Sequence, residues 1–207
     1  MNVEDLGTVG YEAACELQRG LVERRKAGAI PDTLLLLEHP HVFTLGRNAR
    51  REHLLSRPPE VEEHATNRGG DITYHGPGQL VGYPILDLAR IRRDVVWYVR
   101  SLEEALIGVL GEFGIAAGRN PGYTGVWVGG EKIAAIGVHI SRWVTSHGFA
   151  LNVHPDLRYF RFIVPCGVRD YGVTSMERLL GARPEMPAVK QAVARHFARI
   201  FWAQLKA

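Results

Sequence analysis

The chain has 207 residues, 46% of them apolar, a formal net charge of +3 and an isoelectric point near 9. No apolar run approaches the roughly 18–20 residues of a membrane span, and Met1 to Leu6 lack the basic and apolar regions of a secretory signal. Arg90, Arg92 and Arg93 make only a small basic cluster, where nucleic-acid binding calls for a concentrated patch or stripe. The expectation is therefore a cytoplasmic protein with neither membrane nor nucleic acid as partner. The span 1–207 reads as a single domain, a length that one α/β domain routinely reaches at about 200–250 residues.

In chain order, Tyr11 to Lys26 carries a helical apolar pattern that ends near Gly28 and includes Cys15 as a small core residue. Leu34 to Leu37 is a buried strand, and Val42 to Leu45 a second one. The stretch Arg68 to Gln79 packs four glycines around Ile72-Thr73-Tyr74, a short β-prone run between two pieces of accessible backbone. Leu80 to Leu86 makes another strand, with Pro84 suggesting an edge or a bend. Asp94 caps a helix whose apolar residues run from Val95 to Phe113 and which stops at Gly114. Gly129-Gly130 sits between two β-prone runs as a hairpin signal, and Phe149 to Val153 continues the sheet. Thr174 to Glu177 fits a capping box opening a short helix, and Pro187 begins a last helix with Val189, Val193, Phe197, Ile200 and Phe201 on its core face. Strands in the middle with helices flanking them predict an α+β fold built on a mixed β-sheet.

Two residues stand out chemically. Cys166 lies in Val164-Pro165-Cys166-Gly167, where proline fixes the backbone and glycine opens space beside the sulfur. A nucleophilic thiol needs such a position, with a neighbouring N–H able to face an oxyanion; a buried structural cysteine at a strand end is the alternative. Lys132, one of only four lysines against 21 arginines, opens a mostly apolar strand. By period-two alternation it shares a face with Ala134, Ile136 and Val138. Desolvation there would lower its pKa toward a proton-transfer role; a lysine snorkelling to water from a hairpin end is the alternative. The two cysteines form no disulfide framework or CxxC pair, the nine histidines show no metal-ligand spacing, and neither a P-loop nor a G-x-S-x-G elbow is present.

Four motifs, in order, closely resemble the signature of lipoyl(octanoyl) transferases: Arg68 to Pro84, Lys132 to Gly137, His147 to Val153, and Pro165-Cys166-Gly167 followed by Thr174 to Met176. The resemblance implies a biotin/lipoate ligase-like catalytic domain that transfers an octanoyl or lipoyl group to a specific lysine of lipoyl domains. The donor would be octanoyl-acyl carrier protein; the acceptors would be the lipoyl domains of 2-oxoacid dehydrogenases and the glycine cleavage H protein. It implies Cys166 as acyl-thioester nucleophile and Lys132 as general acid/base. It also implies an acyl pocket lined by Arg68, Gly69, Gly70, Asp71, Ile72, Thr73, Tyr74 and His75, by Ala135, Ile136 and Gly137, and by Gly148, Phe149 and Ala150. His75 stays open between pocket wall and catalytic helper. An eight-carbon chain gains about 0.8 kcal/mol per buried CH₂, so the pocket is expected to be a narrow apolar tunnel whose glycines leave room for the chain. Neither cofactor nor metal is needed on this reading, a monomer is favoured, and the mild positive charge suits an acidic carrier protein. The rivals are an ATP-dependent lipoate or biotin ligase on the same fold and a non-catalytic acyl-binding module.

Overall fold

The structure, a computed structural model, describes residues 2–164 and 171–202. In chain order its elements are β1 (Asn2–Thr8), α1 (Tyr11–Lys26), β2 (Thr33–Glu38), β3 (Val42–Leu45), β4 (Glu62–Ala65), β5 (Ile72–His75), β6 (Gln79–Ile85), α2 (Leu88–Ile91), α3 (Val95–Glu112), β7 (Gly118–Asn120), β8 (Tyr123–Val128), β9 (Glu131–Ser141), β10 (Val144–Asn152), α4 (Met176–Leu180) and α5 (Met186–Phe197). Among the described residues the strands form a seven-stranded sheet, ordered β1-β2-β6-β10-β9-β8-β7, and a three-stranded sheet, ordered β4-β3-β5. The β1–β2 and β3–β4 pairs are parallel and the others antiparallel, so both sheets are mixed. No helix of the described residues is long and apolar enough to cross a membrane.

The leucine run of β2 explains the layering. Successive strand side chains point to opposite faces, so four consecutive buried leucines require cover on both sides. Leu34 and Leu36 pack with α3 and α5, while Leu35 and Leu37 pack with α1. Each contributes about 1.5–3 kcal/mol by leaving water. A third cluster, built on Phe43, Ile72, Tyr74, Phe160 and Ile163, holds the small sheet together.

Local chemistry sets the ends of these elements. The Asp94 carboxylate accepts from the Trp97 N–H at 2.9 Å and starts α3. Gly129 and Gly130 both adopt positive φ, 56° and 88°, as the two-residue turn joining β8 to β9 demands.

Three sequence expectations are corrected. Pro84 lies inside the large sheet, on β6 between β2 and β10. Its carbonyl accepts from Thr145 Oγ1 on the β10 side, so the missing N–H faces that side too. There β10 departs from regular geometry: His147 has φ 54°, and its N–H donates to Gln18 Oε1 at 2.8 Å. The cap of α4 is Ser175, whose Oγ accepts from the Arg178 N–H; with the helix starting at Met176, Glu177 is one residue too early to complete a capping box on it. Cys15 is half-buried and lines a cleft, because the buried face of α1 runs through Tyr11, Ala14, Gln18, Leu21 and Val22. Edge strands β1, β4 and β7 were not anticipated; they are short or mostly exposed and carry no hydrophobic alternation to betray them.

Candidate active site

The strip Arg68 to Asp71 is stitched into place by its backbone. On one side its carbonyls accept from Gly46, Arg47 and Asn48; on the other, Gly69 N–H donates to Val138 O of β9 at 2.9 Å. It thereby continues the edge of β9 beyond the point where β8 stops pairing with it. Between this strip, α1, β6 and the β9–β10 pair runs a slot of about 50 Å³. Its lining includes Arg68, Gly69, Gly70, Asp71, Thr73, His75, Ala135, Ile136, Gly137, Gly148, Phe149 and Ala150. Strand alternation turns Ile72 and Tyr74 the other way, into the core of the small sheet, where Tyr74 stacks on Tyr159 at 5.0 Å. Ile136 and Phe149 belong with their side chains to the α3/α5 core.

Two glycines of the slot serve neighbouring backbone. A Cβ on Gly137 would sit 2.8 Å from Gly69 O, and one on Gly148 would collide with Gly82 O. The close crossing of strip and strand, as much as room for a chain, explains them.

Lys132 faces this slot because of a bulge. Val126 pairs with Ala134 but the next residue of β8, Trp127, pairs with Lys132, so Ile133 is an extra residue. Ile133 and Ala134 both join the α3/α5 core. The expected sharing of a face between Lys132 and Ala134, Ile136 and Val138 is thus overturned. Lys132 instead borders a small space with Thr73, Gln79, Ala135, Ala150 and Asn152, which continues the slot. Its Nζ lies 4.8 Å from the Trp127 ring centroid. It also borders an outer cleft of about 410 Å³ with His53, Asp71, Tyr123 and Thr124.

The polar slot residues are organised into a hydrogen-bond chain. Gln79 Nε2 donates to Asn152 Oδ1 and Tyr74 O, which leaves its Oε1 to accept from His75 Nδ1 at 2.7 Å. The other ring nitrogen of His75 faces Thr44 Oγ1 at 3.4 Å, and that hydroxyl accepts from the Arg68 guanidinium at 2.8 Å. Arg68 also donates to Thr44 O at 2.6 Å. The Asp71 carboxylate accepts from its neighbour Ile72 N–H at 2.7 Å and pairs with His53 Nδ1.

Burial favours the neutral forms of His39, His75 and His147. It lowers His39 and His147 to about 4, and pushes His75 well below the ordinary value, with His39 and Arg68 adding to the effect. Burial likewise pushes the Tyr83 and Tyr11 hydroxyls up. The surface of the slot is nonetheless mostly apolar, with these dipoles set into its wall. One consequence concerns stability. His39 and His147 bind protons more readily unfolded than folded, so their contribution is complete above the unfolded value near 6.5 and is lost as pH falls toward about 4. The loss is expected to reach up to about 3 kcal/mol apiece. Urea midpoints measured from pH 7 to pH 4 should fall steeply below pH 6; a flat profile between pH 7 and pH 5 contradicts it.

Sequence reasoning missed Tyr11, Val81, Tyr83 and His147, all of which line the slot. The parity of Val81 and Tyr83 with Leu35 and Leu37 across β2 carried part of that signal. His53 was missed as well; nothing in its surroundings in the sequence marks it. Cys166 lies outside the described residues. The chain on either side of residues 165–170 is anchored at the outer cleft: Val164 N–H donates to His53 O at 2.7 Å, and Lys132 N–H donates to Gly172 O at 2.9 Å.

The family model described as the lipoyl protein ligase A/B catalytic domain matches residues 10–198. An octanoyltransferase of Solibacter usitatus is 59% identical over 204 residues, covering 96% of this chain and 92% of that protein. An octanoyltransferase of Gloeobacter violaceus is 52% identical over 199 residues, covering 96% and 89%. Among solved structures, lipoate-protein ligase A bound with ATP superposes with a TM-score of 0.76 at 16% identity, over 97% of this chain and 84% of that one. The biotin protein ligase of Aquifex aeolicus superposes with a TM-score of 0.59 at 13% identity, over 100% and 71%. At such low identities these two speak to the fold, an α+β mixed sheet flanked by helices. The chain belongs to the lipoyl protein ligase A/B catalytic domain family.

Proposed function

We propose that this protein is an octanoyltransferase: it takes the octanoyl group from acyl carrier protein and passes it to a lysine of a lipoyl domain through a thioester on Cys166. The observation that carries this reading is the slot, floored by Ala135 and Ala150, that leads away from Lys132 beneath the Arg68–Asp71 strip. The names of relatives more than half identical to this chain support it independently. The anchoring of both flanks of residues 165–170 at the cleft bordered by Lys132 supports Cys166 as the nucleophile.

In this mechanism Lys132 takes the proton of the Cys166 thiol. The thiolate attacks the donor carbonyl, an S–C bond forms, and the pantetheine sulfur leaves with the proton that Lys132 returns. The acceptor lysine, as free amine, then attacks the acyl-enzyme. Its proton passes to Lys132, the Cys166 sulfur departs, and the thiol is restored. Arg68, with its side chain spent on Thr44 and Gly69, holds the strip in shape. His75, with both ring nitrogens engaged, belongs to the wall. Working from a carrier-bound donor, the reaction calls for no nucleotide and suits a cytoplasmic protein.

The test is intact mass after mixing with octanoyl-acyl carrier protein alone, followed by addition of a lipoyl domain. A gain of one octanoyl group, discharged to the lipoyl domain without nucleotide, is the expected result. Modification that needs ATP and free octanoate or lipoate would place the protein among the ligases instead.

A further inference from the structure

The slot ends at His147. This residue lines both the slot and a second, much larger cleft of about 470 Å³ on its far side, bounded by Cys15, Gln18, Asn67, His139 and Ser146. The order of residues along the strands gives the direction: Ala135 and Ala150 lie at the Lys132 end, Gly137 and Gly148 in the middle, His139 and Ser146 beyond. Opposite His147 stands Val138, and β9 covers roughly 17 Å from Lys132 to there at about 3.3 Å per residue, the bulged Ile133 discounted. The ring is pinned from several sides. Its Nε2 bonds Asn67 Oδ1 at 2.7 Å, Thr66 Oγ1 lies at 3.4 Å, and the Tyr83 ring meets it edge-on with centroids 6.0 Å apart. Its backbone takes a φ of 54°, unusual for a non-glycine residue, and is held there by Gln18.

A strained residue fastened by four neighbours, standing between a narrow slot and a wider cleft, behaves as a plug. We propose that His147 is the end-stop that sets the acyl-chain length this protein accepts, and that the cleft behind it is the space from which longer chains are shut out. The inference rests on the acyl-transfer reading and adds to it the residue that measures the substrate. A side chain of this size at the end of a hydrophobic slot discriminates sharply, since one methylene too many in a fitted pocket costs roughly tenfold or more.

The experiment compares octanoyl- and dodecanoyl-acyl carrier protein as donors for the wild type, His147→Gly and His147→Asn. Glycine and asparagine are the residues that tolerate positive φ, so both variants keep the backbone. The ratio of kcat/KM for dodecanoyl over octanoyl is expected to rise about tenfold or more in the glycine variant and by less in the asparagine variant. An unchanged ratio in variants that melt like the wild type overturns the proposal. Should His147→Gly and His147→Asn fail to fold, Asn67→Ala releases the ring without touching the strand, and an unchanged ratio there overturns it equally. Equilibrium binding of octanoic and dodecanoic acids reads the same selectivity without catalysis. A wild type that takes no acyl group from the donor sinks the transferase reading, while the acid-binding ratio still decides the end-stop.

Discussion

Cys166→Ala is expected to lower octanoyl transfer by three orders of magnitude or more, roughly the scale seen when an enzyme loses its covalent nucleophile. The change removes one sulfur atom, so folding should survive it, and circular dichroism and melting temperature are to be measured beside the rate. The octanoyl mass adduct should vanish together with transfer. Cys166→Ser is the stricter variant, because it keeps the shape and offers a far less acidic nucleophile. A serine variant that transfers at the normal rate would leave Cys166 as a structural residue and sink the thioester mechanism.

The second large effect belongs to Lys132. Lys132→Met keeps most of the unbranched stem but removes the proton-carrying amine, which lies 4.8 Å from the Trp127 ring centroid. Proton transfer by a positioned side chain typically contributes about 10²–10⁴-fold, and a loss in that range is expected for formation of the acyl-enzyme. The loss should shrink as pH rises, since hydroxide then does part of the work of ionising the thiol. Lys132→Arg should not rescue the rate, because a guanidinium does not give up its proton in a protein. Rapid-quench acylation at pH 7 and pH 9 checks both statements. Acylation by the methionine variant at the wild-type rate would remove Lys132 from the chemistry.

What the sequence made legible follows from how directly each feature is encoded. The α1 and α3 boundaries coincide with the structure because Gly28 and Gly114 stop them and Asp94 starts α3. The four leucines of β2 announced a doubly covered strand, and the alternation within Ile72 to His75 separated core from slot once the sheet was known. The orientation of Lys132 was not legible. Period-two counting assumes an unbroken strand, and the apolar residues at Ile133 and Ala134 fit either register until the pairing with β8 is seen. His147 was hidden for a related reason: its importance comes from Gln18, Asn67 and Tyr83, each far from it along the chain. The segment around Cys166 was identified through its motif, and the described flanks bear only on where it is tethered.

The extra residue in β9 makes the side of the sheet that carries the amine a matter of its pairing with Trp127 and not of odd and even counting along the strand. Lengthening or trimming the Gly129-Gly130 turn leaves that pairing alone, because both strand ends move together. Taking out Ile133 leaves it alone as well: Trp127 would still pair with Lys132 and Val126 with Ala134, and the amine would keep the face opposite Ala134. The amine thus follows its partner on β8 and not its distance from Ala134, and sequences aligned through this strand should be compared by pairing before they are compared by spacing.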